Sequence, residues 1–225
     1  MEQQEQQFDI VDYMRMRAST YGFLARLFRK EIGTDELIEM RSMQFPMSTG
    51  NPDVDKGYEL IASYLEQTWG GSEEELAIDY VRTFIGHGVN GYSAAYPFES
   101  VHTSERRLMM QEARAEVLQV LRDNLLKRGN WTEGEDHIAL ELEFMQRMAL
   151  RCADDLQAGR NSQATDKLKT QMDFAKDHLL NWLPILSSEM RRFSKTSFYQ
   201  GLSYLALGFV KEDFAALSEL LDQSS

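Results

Sequence analysis

A chain of 225 residues with 43% hydrophobic and 27% charged side chains has enough apolar material for a substantial core, which sets aside disordered and fibrous architectures. Its 36 acidic against 24 basic residues leave a net charge of −12, which disfavours a nucleic-acid face or an anionic membrane surface and suits a cationic partner. The commoner meaning of such a surface is solubility alone.

With only 4 Pro and 14 Gly, helix is favoured over a many-turned β-sandwich. The opening "MEQQEQQFD" lacks the apolar segment of a signal peptide, and no run reaches membrane-spanning length, so a cytoplasmic location is expected. Asp9 is a good N-cap for a first helix in which Val11, Met14, Ala18, Tyr21, Leu24 and Phe28 recur at three or four residues, ending near Gly33. Asn51 followed by Pro52 marks a second start, and Gly70-Gly71 a stop. Ser72 and Glu75 have capping-box spacing ahead of Leu76, Tyr80, Phe84 and Ile85.

Residues 86–103 form the longest stretch without helical period, "GHGVNGYSAAYPFESVH" and the next threonine. A loop of that length in a compact domain is usually functional or disordered, and Tyr92, Tyr96 and Phe98, expected to be exposed, argue against disorder. Residues 108–125 read as helix. Thr132 and Glu135 form a second capping box, predicting a helix from that point with a buried stripe of Ile138, Leu142, Met145, Ala149, Cys152 and Leu156. Cys152, the only cysteine, excludes an internal disulfide and a thiolate zinc cluster, and its place on the stripe makes it a small buried hydrophobe. Gly159 caps the end, and residues 159–165 read as a polar surface connection. Residues 168–182 are helical, Pro184 interrupts, and residues 198–221 supply two closing helices around Gly208. The expectation is an all-α, single-domain helical bundle over residues 1–225, with no repeat.

The chemistry concentrates at Asp136 and His137. On a helical wheel with Ile138 as core, Asp136 falls nearly opposite and His137 lies on the flank above Glu141 and Phe144. A metal set of Glu133, His137 and Glu141 is the enzymatic alternative, although no second helix carries a mate and no zinc-protease motif occurs. No phosphate-binding loop is present. The local reading is that Asp136 supports a helix start and His137 caps a neighbouring loop. A helical interaction domain of another kind is the remaining alternative.

Three motifs in order carry a resemblance. Tyr80, Phe84 and Gly86 match one segment; Pro97, Phe98, Glu99, Ser100 and Val101 match a second; Asp136, His137, Glu141, Leu142 and Phe144 match a third. Together they resemble the TorD/DmsD/NarJ family of cytoplasmic molybdoenzyme maturation chaperones over residues 79–148, and the helical remainder is compatible. Thr83, Tyr96 and Gly134-Glu135 depart from the family pattern. The resemblance implies a TorD-like bundle that is not an enzyme and needs no cofactor of its own. Its implied partners are the twin-arginine signal peptide and the apo catalytic subunit of a molybdoenzyme of the DMSO reductase superfamily. It would hold that subunit for cofactor insertion before export, and either a monomer or a domain-swapped homodimer is compatible. The implied peptide-binding residues are Tyr80, Phe84, Tyr96, Pro97, Phe98, Glu99, Ser100, Asp136, His137 and Glu141. Bidentate pairing of guanidinium with carboxylate and an aromatic surface for the apolar run are what such a leader requires.

Overall fold

A computed structural model describes residues 9–46, 48–86, 94–127 and 129–223. Helix α1 spans Ile10–Arg29, and Asp9 caps it by accepting from Val11 N and Asp12 N. Helix α3, Pro52–Glu66, starts as its sequence predicts, with the Asn51 side chain accepting from Asp53 N and Val54 N. Between them α2, Thr34–Ser42, was not legible. Gly33 precedes α2 as its N-cap without side-chain help, and only Leu37 and Met40 are buried. So short an element is stabilised by packing rather than by its own periodicity.

Helix α4, Ser72–Tyr80, lacks the expected capping box. The Ser72 hydroxyl accepts from Trp69 N, and Glu75 takes the Tyr64 hydroxyl instead. The helix runs on through a π turn, Val81–Ile85, that stops at Gly86 with φ +74°. There a Cβ would lie 2.8 Å from the Ala94 side chain, so both conformation and space call for glycine. A short α5, Glu99–Thr103, and α6, Glu112–Asp123, follow.

Helix α7, Ile138–Gln157, forms the centre. Ile138, Leu142, Met145, Ala149 and Cys152 of its stripe are all fully buried. α1 packs along one side of α7 and α8, Asn161–Phe174, along another. The predicted polar connection at 159–165 is shorter than expected: Gly159 turns the chain with φ +71° and α8 begins at Asn161. A second π turn, Ala175–Leu179, extends α8. Pro184 stands in the first turn of α9, Leu183–Phe193, where it begins a helix rather than interrupting one.

The chain closes with one helix where two were expected, α10, Ser197–Gln223. Gly208 does not break it. Cβ atoms at Gly57, Gly201 and Gly208 would stand 2.6, 2.8 and 2.9 Å from backbone atoms across the α3–α10 contact. Those glycines are interface positions, letting the two helices approach backbone to backbone. The described residues contain no strand, and the fold is an all-α bundle.

Candidate functional site

Residues 97–100 lie against the start of α7. Phe98 and His137 make an isolated antiparallel bridge. Glu99 N donates to Asp136 O at 2.9 Å, and Ile138 N donates to Pro97 O at 2.9 Å. This pairing explains why α7 starts at Ile138 rather than at the Thr132 capping box. The incoming segment satisfies one orphan amide, and His137 Nδ1 accepts from Ala139 N at 3.0 Å as the actual cap. The His137 ring packs edge-on to Phe98 and Trp131, each 4.9 Å away between centroids.

Burial reverses three expectations. Phe98 is buried and Tyr96 half-buried, not exposed. Tyr92 lies outside the described residues. Asp136, placed opposite the core by the helical wheel, precedes the helix, so the wheel does not apply to it. It is fully buried, with Oδ2 accepting from Ser100 N at 3.0 Å and from the Ser100 hydroxyl. His137, expected on the flank, is also buried. Burial, and next the nearby Arg29 charge, push its pKa down from 6.5 to about 3, so it is neutral at physiological pH and adds no pH dependence there.

Tyr80 and Phe84 are both buried in the core. They stack on one another and on Tyr199, with Phe28 against Phe84, and the Tyr80 hydroxyl donates to Phe28 O. The π turn that bears Phe84 also presents Thr83 O to Ala95 N at 2.7 Å, anchoring the segment's start.

Carboxylates converge beneath the segment. Glu99 Oε1 accepts from Asn181 Nδ2, and its Oε2 lies 3.0 Å from His178 Nδ1. Glu141 Oε2 accepts from Trp182 Nε1 at 3.2 Å. Burial first, then Glu99 and Asp136, raise the Glu141 pKa well above the usual carboxylate value. Burial and the neighbouring Glu99 and Asp136 charges thus oppose a further charge at Glu141. Asp136 Oδ1 and Glu141 Oε1 have no hydrogen-bond donor. The alternative metal set is not assembled: Glu133 is exposed, Glu141 is fully buried, and His137 Nδ1 is engaged as a cap. Among the described residues, no three His, Cys, Asp or Glu side chains gather in a way that would hold a metal ion.

His102, His178, Asn181 and Trp182 were missed by sequence reasoning. His102 stacks on Trp182 at 5.2 Å, and its Nε2 lies 2.8 Å from Tyr96 O. The available signal was the Asp177-His178 pair in the second π turn. Such turns recur at functional sites, but nothing in a single sequence marks one.

With this geometry in hand, the relatives can be set beside it. The family model described as nitrate reductase delta subunit matches residues 51–188. The chaperone protein TorD of Vibrio cholerae is 27% identical over 219 residues, covering 92% of this chain and 94% of that protein. TorD of Vibrio parahaemolyticus is 26% identical, with 93% and 98% covered. A crystal structure from Archaeoglobus fulgidus, described as that of a candidate redox enzyme maturation protein, aligns over 91% of this chain and 97% of its own at 15% identity and a TM-score of 0.46. The motifs, the helical bundle and a family match spanning more than half of the sequence agree: the chain belongs to the nitrate reductase delta subunit family, the TorD/DmsD/NarJ group of maturation chaperones, and is not an enzyme.

Proposed function

We propose that this chaperone works in the cytoplasm, where it binds the twin-arginine leader of a molybdoenzyme catalytic subunit and holds the apoprotein until cofactor is inserted and export can follow. The observation that carries the reading is the buried acid set Glu99, Asp136 and Glu141, with no guanidinium or ammonium among its described hydrogen-bond donors. Two of these acids keep an oxygen without a donor. A buried acceptor without a donor is costly, and a guanidinium supplies several donors in a planar fork.

Asp136 and Glu141 lie under residues 94–103, which carry Glu99 and are held by backbone bonds to Asp136 and Ile138 and by the Ser100–Asp136 pair. Leader binding lifts this segment, one arginine replaces Ser100 at Asp136, and Phe98 and Tyr96 turn to the apolar run. Such a change requires the leader to favour the open state by differential affinity. No described helix is long and apolar enough to cross a membrane, which accords with a partner met in solution.

Titration calorimetry with the leader peptide tests the reading. Wild type should bind an Arg-Arg peptide more tightly than its Lys-Lys counterpart, because lysine cannot make the bidentate contact. Asp136→Asn should weaken binding by roughly 2–5 kcal/mol, and hydrogen exchange at residues 98–101 should quicken when leader is bound. Equal affinities of folded wild type and Asp136→Asn at low salt, with exchange unchanged, would remove this site from the function.

A further inference from the structure

A receptor for two adjacent arginines followed by an apolar run contains a segment of the same chemistry. Beyond the end of α5 and two intervening residues the chain reads Arg106-Arg107-Leu108-Met109-Met110. Leu108, Met109 and Met110 are 55, 39 and 60% exposed, three large apolar side chains in succession, whereas other exposed large apolar residues such as Met16, Ile38 and Trp69 stand singly in sequence. An exposed run of this kind is a liability unless it serves contact. Arg106 and Arg107 are exposed too, and among the described residues neither has an ion-pair partner; Glu105 and Glu112 are the acids that flank the run.

The other arginine pair is occupied. Arg191 donates to the Ser187 and Ser203 hydroxyls and lies over the Tyr204 ring. The 106–110 segment instead has left-handed backbone at Arg107, φ 49°, and Met110, φ 61°. It is tied by Arg107 N to Ser104 O, by Gln111 Nε2 to Met109 O, and by Gln111 N to the Ser100 hydroxyl, the same hydroxyl that donates to Asp136.

We propose that residues 106–110 are an internal counterpart of the leader, that they dock in the leader site of a second copy of this chain, and that self-association and leader binding therefore exclude one another. The inference rests on the leader-binding reading above. A second copy is the occupant because all five side chains are exposed in their own molecule, so the segment is not engaged there. The charge balance agrees: two unpaired guanidiniums on a chain of net charge −12 are drawn to the acidic surface of a copy. Exchange in both directions closes a two-fold dimer. It also gives an idle chaperone a way to cover its apolar run until a client leader displaces it.

Sedimentation velocity of the full chain across a concentration series at low salt, with and without an Arg-Arg leader peptide, decides the matter. Wild type should form a concentration-dependent dimer that the peptide dissociates and that added salt weakens. Two independent double variants, Arg106→Glu with Arg107→Glu and Leu108→Ser with Met110→Ser, should each weaken the dimer at least tenfold. Both should keep wild-type melting and bind leader with an affinity that no longer falls as protein concentration rises. A wild type that stays monomeric, a dimer that persists at saturating leader, or variants that associate as wild type does would each overturn the proposal while leaving leader binding intact. Loss of apoprotein capture by the variants without any change in self-association would assign the segment to the client instead and overturn it as well. A peptide that binds neither wild type nor variants would remove the leader-binding reading and this inference together.

Discussion

Two buried charge clusters in this bundle resolve the same problem differently. In the first, Arg17 of α1 donates through Nε and Nη2 to the two oxygens of Asp213 on α10, and the Tyr21 hydroxyl donates to Asp213 Oδ2 at 2.6 Å. Arg17 and Asp213 are each 1% exposed. The bidentate pair is closed: each charge has its opposite, and each Asp213 oxygen has a donor. The second cluster gathers Glu99, Asp136 and Glu141, whose donors are a serine hydroxyl, backbone and side-chain amides, an indole and an imidazole. The first is a clamp between helices distant in sequence. The second has a deficit of cationic donors, and one of its acids, Glu99, belongs to the segment that covers the other two. A buried pair stabilises only when its partners are complete, so the contrast separates a closed framework pair from the site proposed for recognition.

Removing half of the closed pair should have the largest effect. Arg17→Met leaves Asp213 buried without its cation and should cost about 3–5 kcal/mol in denaturant unfolding. A cost below that of an exposed pair would show that the clamp is not what it is taken to be. Next comes the cap between the two regions. His137→Ala removes the acceptor for Ala139 N and the ring between Phe98 and Trp131, and about 2–3 kcal/mol should be lost. Because His137 is buried rather than on the flank, the change should reach the fold as well as the site.

The pH response sharpens the contrast further. His137 falls from 6.5 to about 3 in the folded protein, so the unfolded chain takes up a proton below pH 6.5 that the folded chain refuses. Stability from this group is whole above 6.5 and is lost as pH falls toward 3. Glu141 is raised above 4.5, so its contribution is whole below 4.5 and is lost as pH rises toward its folded value. The two slopes oppose one another where they overlap above 4.5. On its alkaline limb, from 4.5 up to its folded value, Glu141 should lower stability by up to about 1.4 kcal/mol per pH unit. Glu141→Gln should flatten that alkaline limb, and His137→Ala the acid one. Thermal melts across pH in which Glu141→Gln keeps the alkaline slope would contradict a protonated Glu141. The smallest effect belongs to the surface: Arg26 and Glu39, about half exposed at 54 and 49%, should yield under about 1 kcal/mol on Arg26→Ala.

Helices α1, α3 and α7 were legible because their apolar residues repeat at the period of one helix face. Asp9 and Asn51 were legible because their caps are local, made within three residues of chain.

What tertiary structure decided is each place where a distant group replaced a local one. The capping box at Thr132 and Glu135 gave way because Pro97 O and His137 supplied what it would have supplied. Gly208 remains inside α10 because its missing Cβ admits α3. His178, Asn181 and Trp182 joined the site only through the turn that brings them to Glu99 and Glu141. Burial of Asp136 and His137 was equally out of reach, since a helical wheel assigns faces only within a helix and both residues precede α7. Periodicity and capping are properties of neighbours in sequence, and one chain displays them directly. Burial, proton affinity and the partners of a carboxylate depend on which segment lies across it, and only the fold determines that.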